Sequence, residues 1–321
     1  MENTDAIGPE WSPPPTPAAP APATPPLFQW ENPSWGFPLA MLVWITSVML
    51  LLIMGIIFAI PFFSRYMSKG KEMADIAPIL ISDPNFLLWQ VIAALPAHAL
   101  TLLLIWAVVT GLGKRPFWRS VNFAWGDRRD VISIAGGIFG AVGLLLLSSF
   151  IAKKIGGGET IMDRLIQSST SAKYAIAFLA AISAPLVEEL IYRGVIYPAT
   201  QRGFARLGHR FSPAPRNRDA IQIGSAILAV FFVSILFAGV HIDQYKNNLG
   251  VITAIALLSF VLTGSRAVTG RVLPGFIIHF VFNGIQAIGI LYLPNIDKKT
   301  VAPAPTGAAL IHLLSLLPMV N

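Results

Sequence analysis

The chain has 321 residues, 55% hydrophobic and 12% charged, with a net charge of +7 and no cysteine. Soluble domains carry about 25% charged residues, so a soluble globular fold is excluded, as are disulfides, thiol catalysis and cysteine-ligated metals. The basic excess lies mainly between apolar runs, where Lys and Arg set membrane orientation; this accounts for the charge better than nucleic-acid binding does.

Residues 1–38 hold 11 of the 25 prolines and no Lys or Arg, with Glu2, Asp5, Glu10 and Glu31 as the acids. Pro13-Pro14-Pro15 and the spaced prolines to Pro26 are incompatible with a helix or a central strand, so a disordered or polyproline II tail is expected. The tail lacks the basic start and apolar core of a signal peptide. Trp35, Phe37 and Pro38 mark a membrane interface, and the first apolar run follows at 39–61. Further runs lie at 86–112, 131–152, 173–198, 221–241, 249–263, 272–294 and 306–320. A span takes about 20 apolar residues. The runs at 249–263 and 306–320 are short, so seven or eight spans are expected. The predicted architecture is an all-α polytopic membrane protein: a Pro-rich tail (1–38), accessory spans (39–152), a polar-bearing core (172–295) and a C-terminal hydrophobic segment (296–321). Pro96 and Pro185 fall inside runs and should kink their helices.

Lys and Arg counts favour a cytoplasmic N-terminus. Loops 113–130, 199–219 and 264–271 together hold 12 Lys and Arg, the alternate set 9.

Three patterns place polar residues inside the spans: Glu188-Glu189-x-x-x-Arg193, Phe237-x-x-x-His241 and His279-x-x-x-Asn283. Residues four apart share a helix face, so Glu189 and Arg193 can pair. Glu188 projects about 100° away and has no counter-charge on its own helix. An ionisable group at membrane depth is costly and marks a functional site by default; His241, His279 and Asn283 are suitable partners from other helices. Each pattern alone also fits a structural role, a salt bridge or interhelical hydrogen bonds. His98 is read as a satisfied intramembrane polar residue, His209 as part of a basic loop, and His312 has no polar company.

Two carboxylates, two imidazoles, an amide and a guanidinium in a dry site suit water activation by a carboxylate with a histidine, and donors aimed at an oxyanion. Glu188, His241 and His279 could equally ligate a divalent metal such as zinc with one open position. The residues alone leave both open.

At these positions the chain resembles the CPBP family of membrane CAAX proteases and bacteriocin-processing enzymes, whose pattern is EExxxR, FxxxH and HxxxN in that order. Here it reads EELIYR (188–193), FAGVH (237–241) and HFVFN (279–283), and 269–274 resembles the family's TGS-x-x-P turn with Arg271 in place of Ser. The resemblance implies an intramembrane endopeptidase with a helical core over 172–295, acting on a peptide or protein substrate at the lipid bilayer. It implies that Glu188 and His241 activate water, that His279 and Asn283 stabilise the oxyanion, and that Glu189 and Arg193 hold the geometry. Both metal-dependent and metal-free mechanisms fit it.

Depth gives a conflict. Glu188 lies about ten residues and His279 about eight from the cytoplasmic side, level at about 1.5 Å per residue, whereas a helix from 221 carries His241 roughly 30 Å away. Either the helix before His241 starts outside the membrane, as an Arg-rich projecting helix, or the boundaries differ. Two other functions remain open: an ion- or proton-coupled transporter, for which paired repeats are not evident, and a non-enzymatic adaptor, supported only by the tail.

Overall fold

A computed structural model describes residues 27–29, 31–155 and 160–292, and among them every regular element is helical. α1 (Phe37–Met67) leads through α2 (Met73–Leu80) to α3 (Pro84–Thr110) and then through α4 (Phe117–Ser120) to α5 (Arg128–Ile155). After α6 (Ile161–Ser168) comes one continuous helix of 42 residues, Thr170–Phe211. It consists of α7 (Thr170–Phe178), a π-helical segment Leu179–Ser183, α8 (Ala184–Glu188), a second π segment Glu189–Ile196 and α9 (Tyr197–Phe211). α10 (Arg218–Tyr245), α11 (Leu249–Thr269) and α12 (Val272–Tyr292) complete the described chain.

Seven helices among the described residues are long and apolar enough to cross a membrane, and the protein is an integral membrane protein. Leu42, Ile45, Leu52 and Ile56 of α1, Leu103 of α3 and Phe139 of α5 are exposed. An apolar surface of that extent belongs against lipid. The expected eighth span at 306–320, the C-terminal segment 296–321 and His312 lie outside the described residues.

Local chemistry sets the helix ends. Asp83 caps α3 by accepting from the amides of Asn85 and Phe86, with Pro84 in the first turn. Thr160 and Asp163 form a reciprocal capping box at α6. α11 ends on Gly270 at φ 71°, a left-handed position that favours glycine. Beyond it, Arg271 binds the fully buried Asp130 at 3.0 Å. The residue that departs from the family's turn thus pins the start of α5 to the α11–α12 turn.

Two apolar cores flank the centre. In one, Val187, Leu190, Val195 and Ile196 of the long helix meet Val43 of α1, Ile105 and Val109 of α3, and Val233 and Phe237 of α10. In the other, Ala141 and Leu145 of α5 pack with Leu258 and Leu262 of α11 and with Ile278 and Phe282 of α12.

Three boundaries differ from the sequence reading, each for a physical reason. The span read as 173–198 continues to Phe211, because the Arg-bearing stretch after it is helical; His209 therefore sits on a helix rather than in a loop. The short run at 249–263 continues to Thr269 and carries Arg266, assigned to a solvated loop by charge counting, into the interior at 2% exposure. The tail expected over 1–38 ends earlier. Residues 27–29 and 31–36 form a strap against the core, in which Trp35 Nε1 donates to the Val195 carbonyl at 3.0 Å, Gln29 donates its amide to Ala267, and the Gln201 side chain donates to the Gln29 carbonyl. Residues 1–26 and Trp30 lie outside the described set.

Candidate active site

The depth conflict disappears with the longer helix. Counted from the turn at 212–217, Glu188 lies 23 residues back from Phe211 and His241 lies 23 residues on from Arg218. The two arms are antiparallel and equal, so the side chains meet at one level. The helix Thr170–Phe211 measures about 63 Å at 1.5 Å per residue, twice the ~30 Å hydrocarbon core. Its Arg-rich end, with the start of α10, therefore extends beyond the lipid, the arrangement in which the segment before His241 projects.

Glu189 and Arg193 are both fully buried and pair at 3.0 Å through Glu189 Oε1 and Arg193 Nη1. Taking two such ions out of water costs several kcal/mol each unless every remaining proton is satisfied. α11 supplies what the pair needs: Arg193 Nε donates to Thr263 Oγ1 at 3.2 Å, and Nη2 donates to Ser259 Oγ at 2.8 Å and to the Ser259 carbonyl. The guanidinium also lies over the Phe237 ring, 4.7 Å from its centroid, a favourable placement for a cation. Phe237, the first residue of the second motif, thus caps the ion pair.

His279, 3% exposed, brings Nδ1 to 3.0 Å from Glu189 Oε1 and points Nε2 at Glu188 Oε2, 3.7 Å away. His241 brings Nδ1 to 2.7 Å from the Phe237 carbonyl and points Nε2 at Glu188 Oε1, 4.0 Å away. A carbonyl only accepts, so His241 Nδ1 carries a hydrogen, and Nε2 is the ring atom turned toward Glu188. Glu188 thus faces one imidazole with each oxygen while its side chain remains 23% exposed. Both gaps are too long for a direct hydrogen bond.

Asn283 is placed one helical turn beyond His279, and its amide donates to the Ala180 carbonyl at 2.8 Å. The cause lies in the long helix. Where the first π segment ends, the Ala184 amide reaches back five residues to Leu179. The next amide in that register belongs to Pro185, which has none, and the carbonyl five residues earlier, Ala180, would be orphaned. The second π segment repeats the device. The Tyr197 amide bonds Tyr192, Pro198 follows, and the stripped Arg193 carbonyl accepts from Arg266 Nε at 2.9 Å. A buried carbonyl without a donor is costly, and in each case a polar side chain from the other side of the site supplies one. His98, as expected, is satisfied: its Nδ1 lies 2.8 Å from Ser183 Oγ.

Sequence reasoning missed Ser259, Thr263, Arg266 and Glu31. Arg266 forms an ion pair with Glu31 of the strap at 2.5 Å. Burial pushes the Glu31 carboxyl above its usual range, and the Arg266 charge pulls it part of the way back. The available signal was proline: each proline within a helix strips a carbonyl four or five residues earlier, and that carbonyl needs a partner.

The other oxygen of Glu189, Oε2, is buried without a hydrogen-bond partner among the described residues and closes against α12 at Gly275, where an added Cβ would stand 2.9 Å from it. Gly275→Ala is expected to displace this carboxylate from His279 and lower activity by about a hundredfold, the cost of misplacing a reacting group by about 1 Å. A cleavage assay on the purified variant checks this.

The donor chemistry of Glu188, His241 and His279 suits zinc, but their placement does not. A zinc ion needs ligand atoms about 2.0–2.2 Å from one point. The two imidazoles instead approach different oxygens of Glu188, and among the described residues no three such side chains converge on a metal position.

Fold and site together define a polytopic membrane protein with a carboxylate–imidazole centre enclosed by spanning helices. Residues 170–285, about a third of the chain, match the family model described as Rce1-like, type II CAAX prenyl endopeptidase Rce1-like, consistent with the CPBP motifs. The match indicates a CAAX-type membrane endopeptidase in general terms. No curated protein and no solved structure matches the chain.

Proposed function

We propose that the protein hydrolyses a peptide bond of a membrane-associated substrate, a prenylated CAAX-like tail or a leader-type segment, with a water activated by Glu188 and His241. The observation that carries this reading is Glu188 itself, a carboxylate outside any tight ion pair, partly exposed, with an imidazole Nε2 facing each of its oxygens.

In this mechanism the water stands beside Glu188 and Nε2 of His241 and loses a proton to Glu188 as it attacks the scissile carbonyl carbon. His279, held at Nδ1 by Glu189, turns Nε2 toward the position of the tetrahedral oxyanion. Asn283 spends one amide hydrogen on Ala180 and keeps a second for the same oxyanion. The proton taken by Glu188 passes to the departing amine, leaving an acid and an amine as products. Glu189 and Arg193 hold His279 in place. The N-terminus lies on the cytoplasmic side, and the substrate enters from there.

The test uses purified full-length protein in proteoliposomes with prenylated CAAX peptides, the same peptides without the prenyl group, and leader peptides. One class is cleaved, and cleavage survives a strong chelator. Loss of cleavage on chelation with restoration by zinc would overturn the metal-free mechanism. No cleavage of any class, together with a Glu188-dependent ion flux, would overturn the peptidase reading.

A further inference from the structure

Arg266 occupies an unusual position for a buried arginine. Its Nε substitutes for a backbone amide, because Pro198 has no hydrogen to offer the Arg193 carbonyl. Its guanidinium stacks beside Tyr197, 5.8 Å from the ring centroid, and its charge meets Glu31 of the strap. The strap is seated around this contact on three further bonds: Gln29 to Ala267, Gln201 to Gln29, and Trp35 to Val195. The segment that Arg266 braces carries Glu189 and Arg193, and Glu189 holds His279.

We propose that Arg266 and Glu31 are positioning residues for the reaction: Glu31 orients the Arg266 guanidinium, which completes the π segment at its proline-stripped carbonyl and so fixes Glu189 and His279 in register with Glu188. The strap before α1 is thereby a working part of the site, although it precedes the region carrying the motifs by more than a hundred residues. The proposal rests on the peptidase reading for its kinetic consequence and on geometry alone for its structural one.

The experiment is a double-mutant cycle on the full-length protein in nanodiscs, combining Arg266→Gln with Pro198→Ala, which restores the missing amide; Glu31→Gln is measured alongside. Arg266→Gln in the wild-type background is expected to lower kcat by about tenfold or more, since a shift of about 1 Å at a site can cost up to about a hundredfold, with KM within about twofold. The same change in the Pro198→Ala background should cost less than about threefold, since groups acting on one partner are non-additive. Glu31→Gln should lower kcat in the same direction. Hydrogen exchange supplies a readout independent of peptidase activity: amides over 194–201 exchange faster in Arg266→Gln, and this acceleration is reduced in the Pro198→Ala background. Equal effects of Arg266→Gln in both backgrounds, in rate or in exchange, would overturn the proposal, as would a wild-type kcat for Glu31→Gln. Should the wild type cleave none of the peptides, the peptidase reading fails and the exchange cycle decides the bracing role alone.

Discussion

Glu188→Gln lowers kcat by about 10²–10⁴-fold, the range for loss of a general base, while melting temperature and substrate affinity stay close to wild type. The amide has nearly the shape of the carboxylate but takes no proton from water. Little structure depends on the original charge, because the contacts of Glu188 with His241 and His279 are 4.0 and 3.7 Å, longer than hydrogen bonds. Its side chain is also partly exposed, so the variant leaves no orphaned buried ion. Thermal unfolding in detergent beside a single-turnover cleavage assay separates the two effects. A variant that cleaves at the wild-type rate removes Glu188 from the chemistry; one that unfolds would make it structural.

Arg193→Met has the opposite profile. It leaves Glu189 fully buried without its counter-charge and removes the donors that Ser259 and Thr263 accept from. Breaking a buried pair from one side costs about 3–5 kcal/mol, whereas replacing both partners is often close to neutral. The single variant is expected to be recovered poorly and to melt far below wild type. Adding Glu189→Gln should return most of the stability and none of the activity, because His279 then faces an amide with no charge to hold it. Thermal melts of the three variants, with the wild type as reference, check the cycle. A single variant as stable as wild type would show that the pair is screened, contrary to its burial.

Much of the site is legible in sequence because helix spacing is geometric. Residues four apart share a face, and this spacing alone separates the paired Glu189 from the unpaired Glu188. Span count is legible in part for the same reason: six of the eight apolar runs have the length the bilayer requires, and seven helices do among the described residues. Arg266 is not legible: counting Lys and Arg in loops treats each as solvated, and only packing reveals that one fills a backbone vacancy. The chemistry of Asn283 reads as that of an oxyanion donor; Pro185 signals a stripped carbonyl nearby, but that it is Ala180 and that Asn283 reaches it depend on the π register and the packing. Glu31 is masked by the proline-rich composition around it. His241 is misplaced in depth because hydropathy ends a span where charges begin, although a helix can continue past the lipid.

The matched arms that bring Glu188 and His241 together make the long hairpin a gauge of length. One residue inserted into α9 alone would slide Glu188 along its partner by about 1.5 Å and turn it by about 100°, enough to separate it from both imidazoles. The same insertion placed in the turn at 212–217 would leave the site untouched. Relatives of this chain should therefore vary freely in that turn, and where their arms are longer or shorter, both arms should have changed by the same whole number of helical repeats.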